Sequence, residues 1–447
     1  MGSPVDGALT VDPSVTPLVA AVRRCVGRPD VDPEAVRVTG ATGLAGQLGV
    51  PGLALGAVAA QLLAARELNG ERASVELDAR HVGFAFRSER YVRLDGRPLA
   101  LGFAPLSRFW RTADGWLRLH GNYPHHRDAA LGVLGTDVER AASTWRAADL
   151  EAAVVTAGGA AAAVRTPEQW NGHPQGAAVG ELPLLSLRRS ADGPVRRPEL
   201  RGLRVLDLTR VIAGPVATRT LASYGADVLR IDGPRSPDDP DSLLDTGSGK
   251  RHVTVDLDTP GGRRIVEDLL ADADVVVQGY RPGALDAFGL DPRALAERHP
   301  HLVSVRLSAW SVDGPWSTRR GFDSLVQAAC GIAVRCGSAD APGALPAQAL
   351  DHGTGHLAAA VVLSALARQR EEGGGWHGEL SLSQTARWLL AAPAGPDAGD
   401  VAAEDPVPYL RELPSARGTV SVIAPPGSPL WSAGAELPPT TVPEWRS

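Results

Sequence analysis

Between Arg204 and Ile231 the chain reads Arg204-Val205-Leu206-Asp207-Leu208, then Ala213-Gly214-Pro215 and a run from Val216 to Tyr224, then Asp227-Val228-Leu229-Arg230-Ile231. A compact apolar strand, a helix opened by proline and stopped by Gly225, and a second strand within about thirty residues make a βαβ unit. Strands joined in this way run parallel, because a crossover helix returns the chain to the same end of the sheet. The alternation continues through Val253 to Val255, Gly261 to Leu270, Val275 to Val277, Pro292 to Arg298 and Leu302 to Val305. This predicts a doubly wound α/β sheet, whose ligands bind beyond the carboxyl ends of the strands.

The chain before Arg201 has a different, α+β character. Leu18 to Val26 reads as a short helix, and Gly52 to Arg66 as an Ala- and Leu-rich helix that stops near Asn69-Gly70. Ala73 to Asp78 alternates like a strand, and Phe103 to His120 reads as a hairpin turning at Asp114-Gly115. Helices are expected at Asp128 to Leu134, at Trp145 to Ala157 and after Thr166-Pro167, and a Pro- and Arg-rich link spans Arg189 to Glu199. A chain of 447 residues is too long for one simple core. The expected division is an unassigned segment 1–45, a smaller α+β half 46–199, an α/β half 200–395, and a Pro- and Gly-rich return segment 396–447 with one late strand at Gly418 to Ile423.

A second long apolar run, Leu357 to Arg368, follows Asp351-His352-Gly353-Thr354-Gly355-His356. It predicts a buried helix with Asp351 and the glycines in the loop that leads into it. At one fixed offset Leu55, Ala57 and Arg66 fall on Leu357, Ala359 and Arg368, and a short strand follows each run, which points to a partial internal duplication. The same offset sets Asp351 against Gly49, so only the second copy carries the carboxylate. By local sequence Asp351 is an ordinary helix cap. A carboxylate at a helix start is also favoured in its ionised form.

Several chemistries are excluded or disfavoured. The net charge of −6 leaves no basic surplus for nucleic acid. No apolar run has the length of a membrane span, the start Met1 to Asp6 lacks the pattern of a leader, and three irregularly spaced cysteines suit a reducing cytoplasm. The turn Val211-Ile212-Ala213-Gly214-Pro215 has one glycine where a dinucleotide fingerprint needs three, and Gly247 to Arg251 lacks the rest of a P-loop. His352 and His356 lack a third metal ligand and read as capping and packing residues, so no metal is expected. His125-His126 reads as a solvated turn. There is no nucleophile elbow and no activated cysteine.

Leu206 to Val211 with Ala213-Gly214-Pro215, Gly225 to Val228, Gly249-Lys250-Arg251, Ala273 to Val277 with Tyr280 to Gly283, Gly314-Pro315, Gly321-Phe322-Asp323, and Asp351 with Thr354-Gly355 share one further property. In this order and spacing they resemble the family III CoA-transferases, the carnitine dehydratase and bile-acid-inducible F group, over residues 200–395. Residues 50–180 resemble the later half of the same family. The resemblance implies that family's fold, a Rossmann-like doubly wound parallel sheet plus a smaller α+β domain, with the halves here in rearranged order.

It further implies that Asp351 attacks an acyl-CoA thioester, giving a mixed anhydride and then an aspartyl-CoA thioester from which CoA passes to a small carboxylic acid. Val211, Ala213, Leu257, Tyr280, Arg281 and Arg320 match the family's coenzyme A contacts, and an interlocked homodimer in the cytoplasm is the implied setting. Departures are Ile212 after Val211, Gly233 in place of an arginine that Arg235 would replace, and Pro260 in place of a lysine. Phe322 stands where the racemase branch has its histidine, which argues against proton transfer at the 2-position. A racemase-like isomerase and a catalytically silent acyl-CoA-binding partner subunit are the alternative readings.

Overall fold

The computed structural model describes residues 9–30, 32, 34–71, 74–99, 101–235, 238–393, 405–437 and 442–446. Met1 to Asp6, Ala73 of the expected strand, and the whole stretch between Pro393 and Asp405 lie outside them.

The helices that carry the site are α1 (Val50–Leu68), α2 (Pro124–Leu134), α3 (Ala213–Ser223), α4 (Asp323–Ala329) and α5 (Ala349–Glu372). The main sheet contains β1 (Leu185–Ala191), β2 (Arg204–Leu208), β3 (Asp227–Asp232), β4 (Lys250–Thr254), β5 (Val275–Gln278), β6 (Val303–Ser308) and β7 (Gly375–Ser381). Its order is β4-β3-β2-β5-β6-β7-β1. All neighbours are parallel except β1, which runs antiparallel to β7. The winding reverses between β2 and β5, and a crevice opens at such a point beyond the strand ends.

Alternate strand residues point to opposite faces. Here both faces are apolar: Val205, Val228 and Val275 share a core with α1, α3 and α5, while Leu206, Leu229 and Val276 pack with Val266, Leu269 and Leu270. Burial on both sides is why these strands read as continuous apolar runs.

The fifth helix is buried without interruption from Ala349 to Ala367. A helix buried all round is a core element, and its glycines set how closely its neighbours come. A Cβ on Gly355 would stand 2.5 Å from the Ala213 carbonyl oxygen of α3, and one on Gly353 would stand 3.1 Å from the Leu53 side chain of α1. α1 and α5, the two runs related by the repeat, therefore pack against each other. Each is followed by a strand paired in parallel and by a capped helix: Val75–Asp78 leads into Ala79–Ala85 under Asp78, and β7 leads into Leu382–Ala391 under Ser381.

Four local expectations are corrected. Asp351 is not in a loop before its helix, since α5 starts at Ala349 with Gln348 as cap and includes Asp351, Gly353 and Gly355. The link from Arg189 begins as a strand, because β1 finds the free edge of β7. The late strand is one arm of a hairpin, Leu410–Ser415 with Gly418–Ile423, which pairs onto Arg93-Leu94. His125-His126 lies in the first turn of α2, and His126 is buried.

Candidate active site

Beyond the carboxyl ends of β2 to β5 lies a cavity of about 430 Å³. Val211, Leu257, Tyr280, Arg281 and Arg320 line it together, although they come from four separate loops. Ala213 does not: it is buried at the start of α3, with its carbonyl against Gly355. Arg281 donates to the Thr318 carbonyl at 3.0 Å, and its pKa is pushed down by burial and by the charge of Arg320. Two guanidinium groups that repel each other across a cavity are stabilised by an anion with several acceptor oxygens, such as a phosphate. Arg235 also lines the cavity but is paired with Asp258, and Pro260 opens the next helix. Arg281 and Arg320 thus share the cavity with the apolar side chains of Leu208, Ile231, Val255 and Leu257.

The first loop of this cavity is held under strain. Val211 has φ of 69°, in the left-handed region that a β-branched side chain resists. Asp238 fixes it there, accepting from the Val211 amide at 3.2 Å, from Arg210 Nη2 at 3.0 Å and from Arg230 Nη2 at 2.7 Å. The same carboxylate accepts from the Tyr123 hydroxyl at 3.0 Å. One buried anion therefore ties the turn after β2 to the helix start that carries Tyr123, in the first half of the chain.

Tyr123, Val211 and Phe322 also line a second cavity, of about 700 Å³, at whose inner wall sits Asp351. The carboxylate that caps α5 is not Asp351 but Asp323, at the start of α4. Its Oδ2 accepts from the Leu350 amide at 2.9 Å and the Asp351 amide at 3.0 Å. Among the described residues no donor is hydrogen-bonded to the Asp351 carboxylate itself. Burial, then the charges of Asp323 and Glu89, raise its pKa well above the usual carboxylate range. The helix start that was expected to favour the ionised form is thus already satisfied by another anion, and a buried carboxylate without donors holds its proton more tightly. Asp323 is raised too, by burial, with its amide and Gln327 hydrogen bonds opposing.

Phe322 is roofed by His120, whose ring stacks on it at 3.7 Å between centroids, and His126 packs edge-on at 5.7 Å. Burial lowers both histidines to about 3, so they are neutral at ordinary pH. His352 and His356 lie against the Phe86 ring, and His352 Nε2 is 3.4 Å from Glu89. Among the described residues no cluster of three metal-ligating side chains occurs. Lys250 is fully enclosed, donating to Asp207 and to the Pro215 carbonyl at 3.0 Å each, which joins β4 to β2 and α3. Sequence reading gave no role to Asp323, Asp238, Tyr123 or His120. A signal for Asp323 was present, since Gly321-Phe322-Asp323 precedes an apolar run as a helix start does.

Residues 200–408 match the sequence model described as CoA-transferase family III. The chain is 30% identical over 314 residues to an acyl-CoA transferase of Gibberella moniliformis, covering 61% of this chain and 54% of that protein. It is 34% identical over 188 residues to a probable fatty acyl-CoA transferase of Mycobacterium tuberculosis, covering 39% and 48%. Over 210 residues it is 32% identical to the succinyl-CoA:glutarate CoA-transferase of Mus musculus, covering 44% and 48%. A crystal structure of the mycobacterial protein aligns with a TM-score of 0.40 and 33% identity, covering 43% of this chain and 55% of that one. The chain spans about half the length of these relatives. The likeness to CoA-transferase family III thus lies in residues 200–408, a little under half of the chain.

Proposed function

We propose that this protein transfers CoA between an acyl-CoA and a carboxylic acid, with Asp351 as the nucleophile. The observation that carries this reading is the position of Asp351: a buried carboxylate without donors, lining a chamber that shares Tyr123, Val211 and Phe322 with the cavity that presents Arg281 and Arg320. A carboxylate stripped of hydrogen bonds is a strong nucleophile once ionised. Its oxygen attacks the thioester carbonyl and CoA leaves as thiolate, giving a mixed anhydride. The thiolate then attacks the aspartyl carbonyl, which yields an aspartyl-CoA thioester and releases the donor acid as carboxylate. An acceptor carboxylate reverses the two steps and leaves with the CoA.

The halves 46–199 and 200–395 act here as one site. Glu89, His120 and Tyr123 come from the first and Asp351, Asp323 and Val211 from the second. The cytoplasm and a homodimeric assembly remain part of the proposal. Phe322 between two neutral histidines does not restore the racemase arrangement, because a base must reach the substrate carbon and these imidazoles pack on the ring instead.

The test is intact-protein mass spectrometry after brief incubation with a panel of acyl-CoAs. Wild type is expected to gain the mass of CoA less water, and Asp351→Ala to lose this adduct by about a thousandfold or more in rate. Coenzyme A binding without any adduct in wild type would instead support the silent-subunit reading.

A further inference from the structure

The chamber around Asp351 is lined by six acids: Glu89, Asp238, Asp239, Asp245, Asp323 and Asp351. Five are already engaged. Glu89 faces His352, Asp238 holds Arg210 and Arg230, and Asp239 caps the helix Pro240–Thr246. Asp245 accepts from Arg219 at 2.8 Å, and Asp323 caps α5. The lining has one cationic side chain among the described residues, Arg90. It donates to the Pro346 carbonyl at 2.8 Å and stands 3.7 Å from Glu89. The buried guanidinium of Arg118 lies over the rings of Phe103 and Phe109 and is not part of the lining. The remaining wall joins the apolar side chains of Leu101, Phe103, Ala104, Ile212, Leu243 and Phe322 with neutral polar ones, Asn122, Ser242, Thr246, Ser324 and Gln348.

A second carboxylate entering this space would meet six acids, apolar surface and a few neutral donors such as the Ser324 hydroxyl, with no free cation in the lining to offset its charge. Such a group is costly to bury, whereas a hydrocarbon end is favoured there. We propose that the chamber takes acyl groups whose far end is uncharged and discriminates against dicarboxylic ones. This rests on the reading of the chamber as the acyl site of a CoA-transferase. The reacting carboxylate of an acceptor meets one charge fewer at the point of attack, because Asp351 is uncharged once it is a thioester.

The test compares succinyl-CoA with 4-methylpentanoyl-CoA, in which two methyl groups take the places of the two carboxylate oxygens. The rate of Asp351-dependent adduct formation per unit donor concentration is expected to be about tenfold or more higher for 4-methylpentanoyl-CoA. Equal or faster reaction with succinyl-CoA overturns the proposal. In Leu101→Lys, which adds a cation to the wall, the ratio is expected to move toward succinyl-CoA; an unchanged ratio counts against charge as the cause. If neither donor forms an adduct, the nucleophile reading fails separately. Calorimetric binding of the same pair to wild type then decides the specificity, with tighter succinyl-CoA binding overturning it.

Discussion

At the scale of single residues the site is governed by which of two carboxylates receives the helix amides. Asp323 takes them, and Asp351 is left protonated to a higher pH than a surface aspartate. Only the ionised form attacks, so the rate of adduct formation should be low in acid and rise with pH through the elevated pKa of Asp351. Asn at position 323 keeps an oxygen for the amides but removes the neighbouring charge. Asp323→Asn is therefore expected to move the rising limb of the pH–rate profile to lower pH, measured by quenched mass spectrometry between pH 5 and 9. An unmoved limb would mean that Asp323 acts only as a cap. Val211 offers a second test. Its left-handed backbone costs about 1–3 kcal/mol, and glycine gives back about 0.5–1 kcal/mol in chain entropy. Val211→Gly is expected to stabilise the fold by about 1 kcal/mol in urea unfolding while weakening CoA binding, because the loop is no longer held in one shape.

Among elements, α5 is the one on which the others are placed. Its glycines differ in what they meet. At Gly355 an added methyl would meet the Ala213 carbonyl, which is backbone, as well as Val216, and α3 would have to move. At Gly353 it would meet only the Leu53 side chain, which can turn aside. Gly355→Ala should cost about 1–3 kcal/mol and shift the Val211 loop, whereas Gly353→Ala should be close to neutral, its crowding offset by about 1 kcal/mol of helix propensity. Chemical denaturation of the two variants side by side checks this. Equal losses would show that the close approach of α3 is not the deciding contact. The central half of α5 was legible, because an unbroken Ala/Leu run has few alternatives. Its start was misplaced by two turns, Leu357 against Ala349, since the cap comes from Asp323 on α4 and not from the helix's own sequence.

For the whole molecule, three buried histidines, His120, His126 and His356, have pKa values lowered to about 3, mainly by burial. In the unfolded chain each titrates near 6.5. Between those values the unfolded state binds more protons, so stability present above about pH 6.5 is lost as the pH falls toward 3. Asp351 and Asp323 have raised values and oppose this trend, but three histidines outweigh two acids. The melting temperature is expected to fall by about 5 °C or more from pH 7 to pH 4.5; a constant or rising value would put the aspartates ahead. The sequence alone determined the parallel sheet and the cores of the two Ala/Leu-rich helices, and of the six positions carried over from the family resemblance five, Val211, Leu257, Tyr280, Arg281 and Arg320, share the strand-end cavity. The sheet and the helices depend on periodicity, which is local, whereas the cavity positions were implied by the resemblance. Only the tertiary structure decided that α1 packs on α5, that β1 closes the edge of β7, that Tyr123 meets Asp238, and that Asp323 rather than Asp351 takes the amides of α5. Those contacts join residues far apart in the chain, and their energies arise from desolvation and pairing, which no local pattern records.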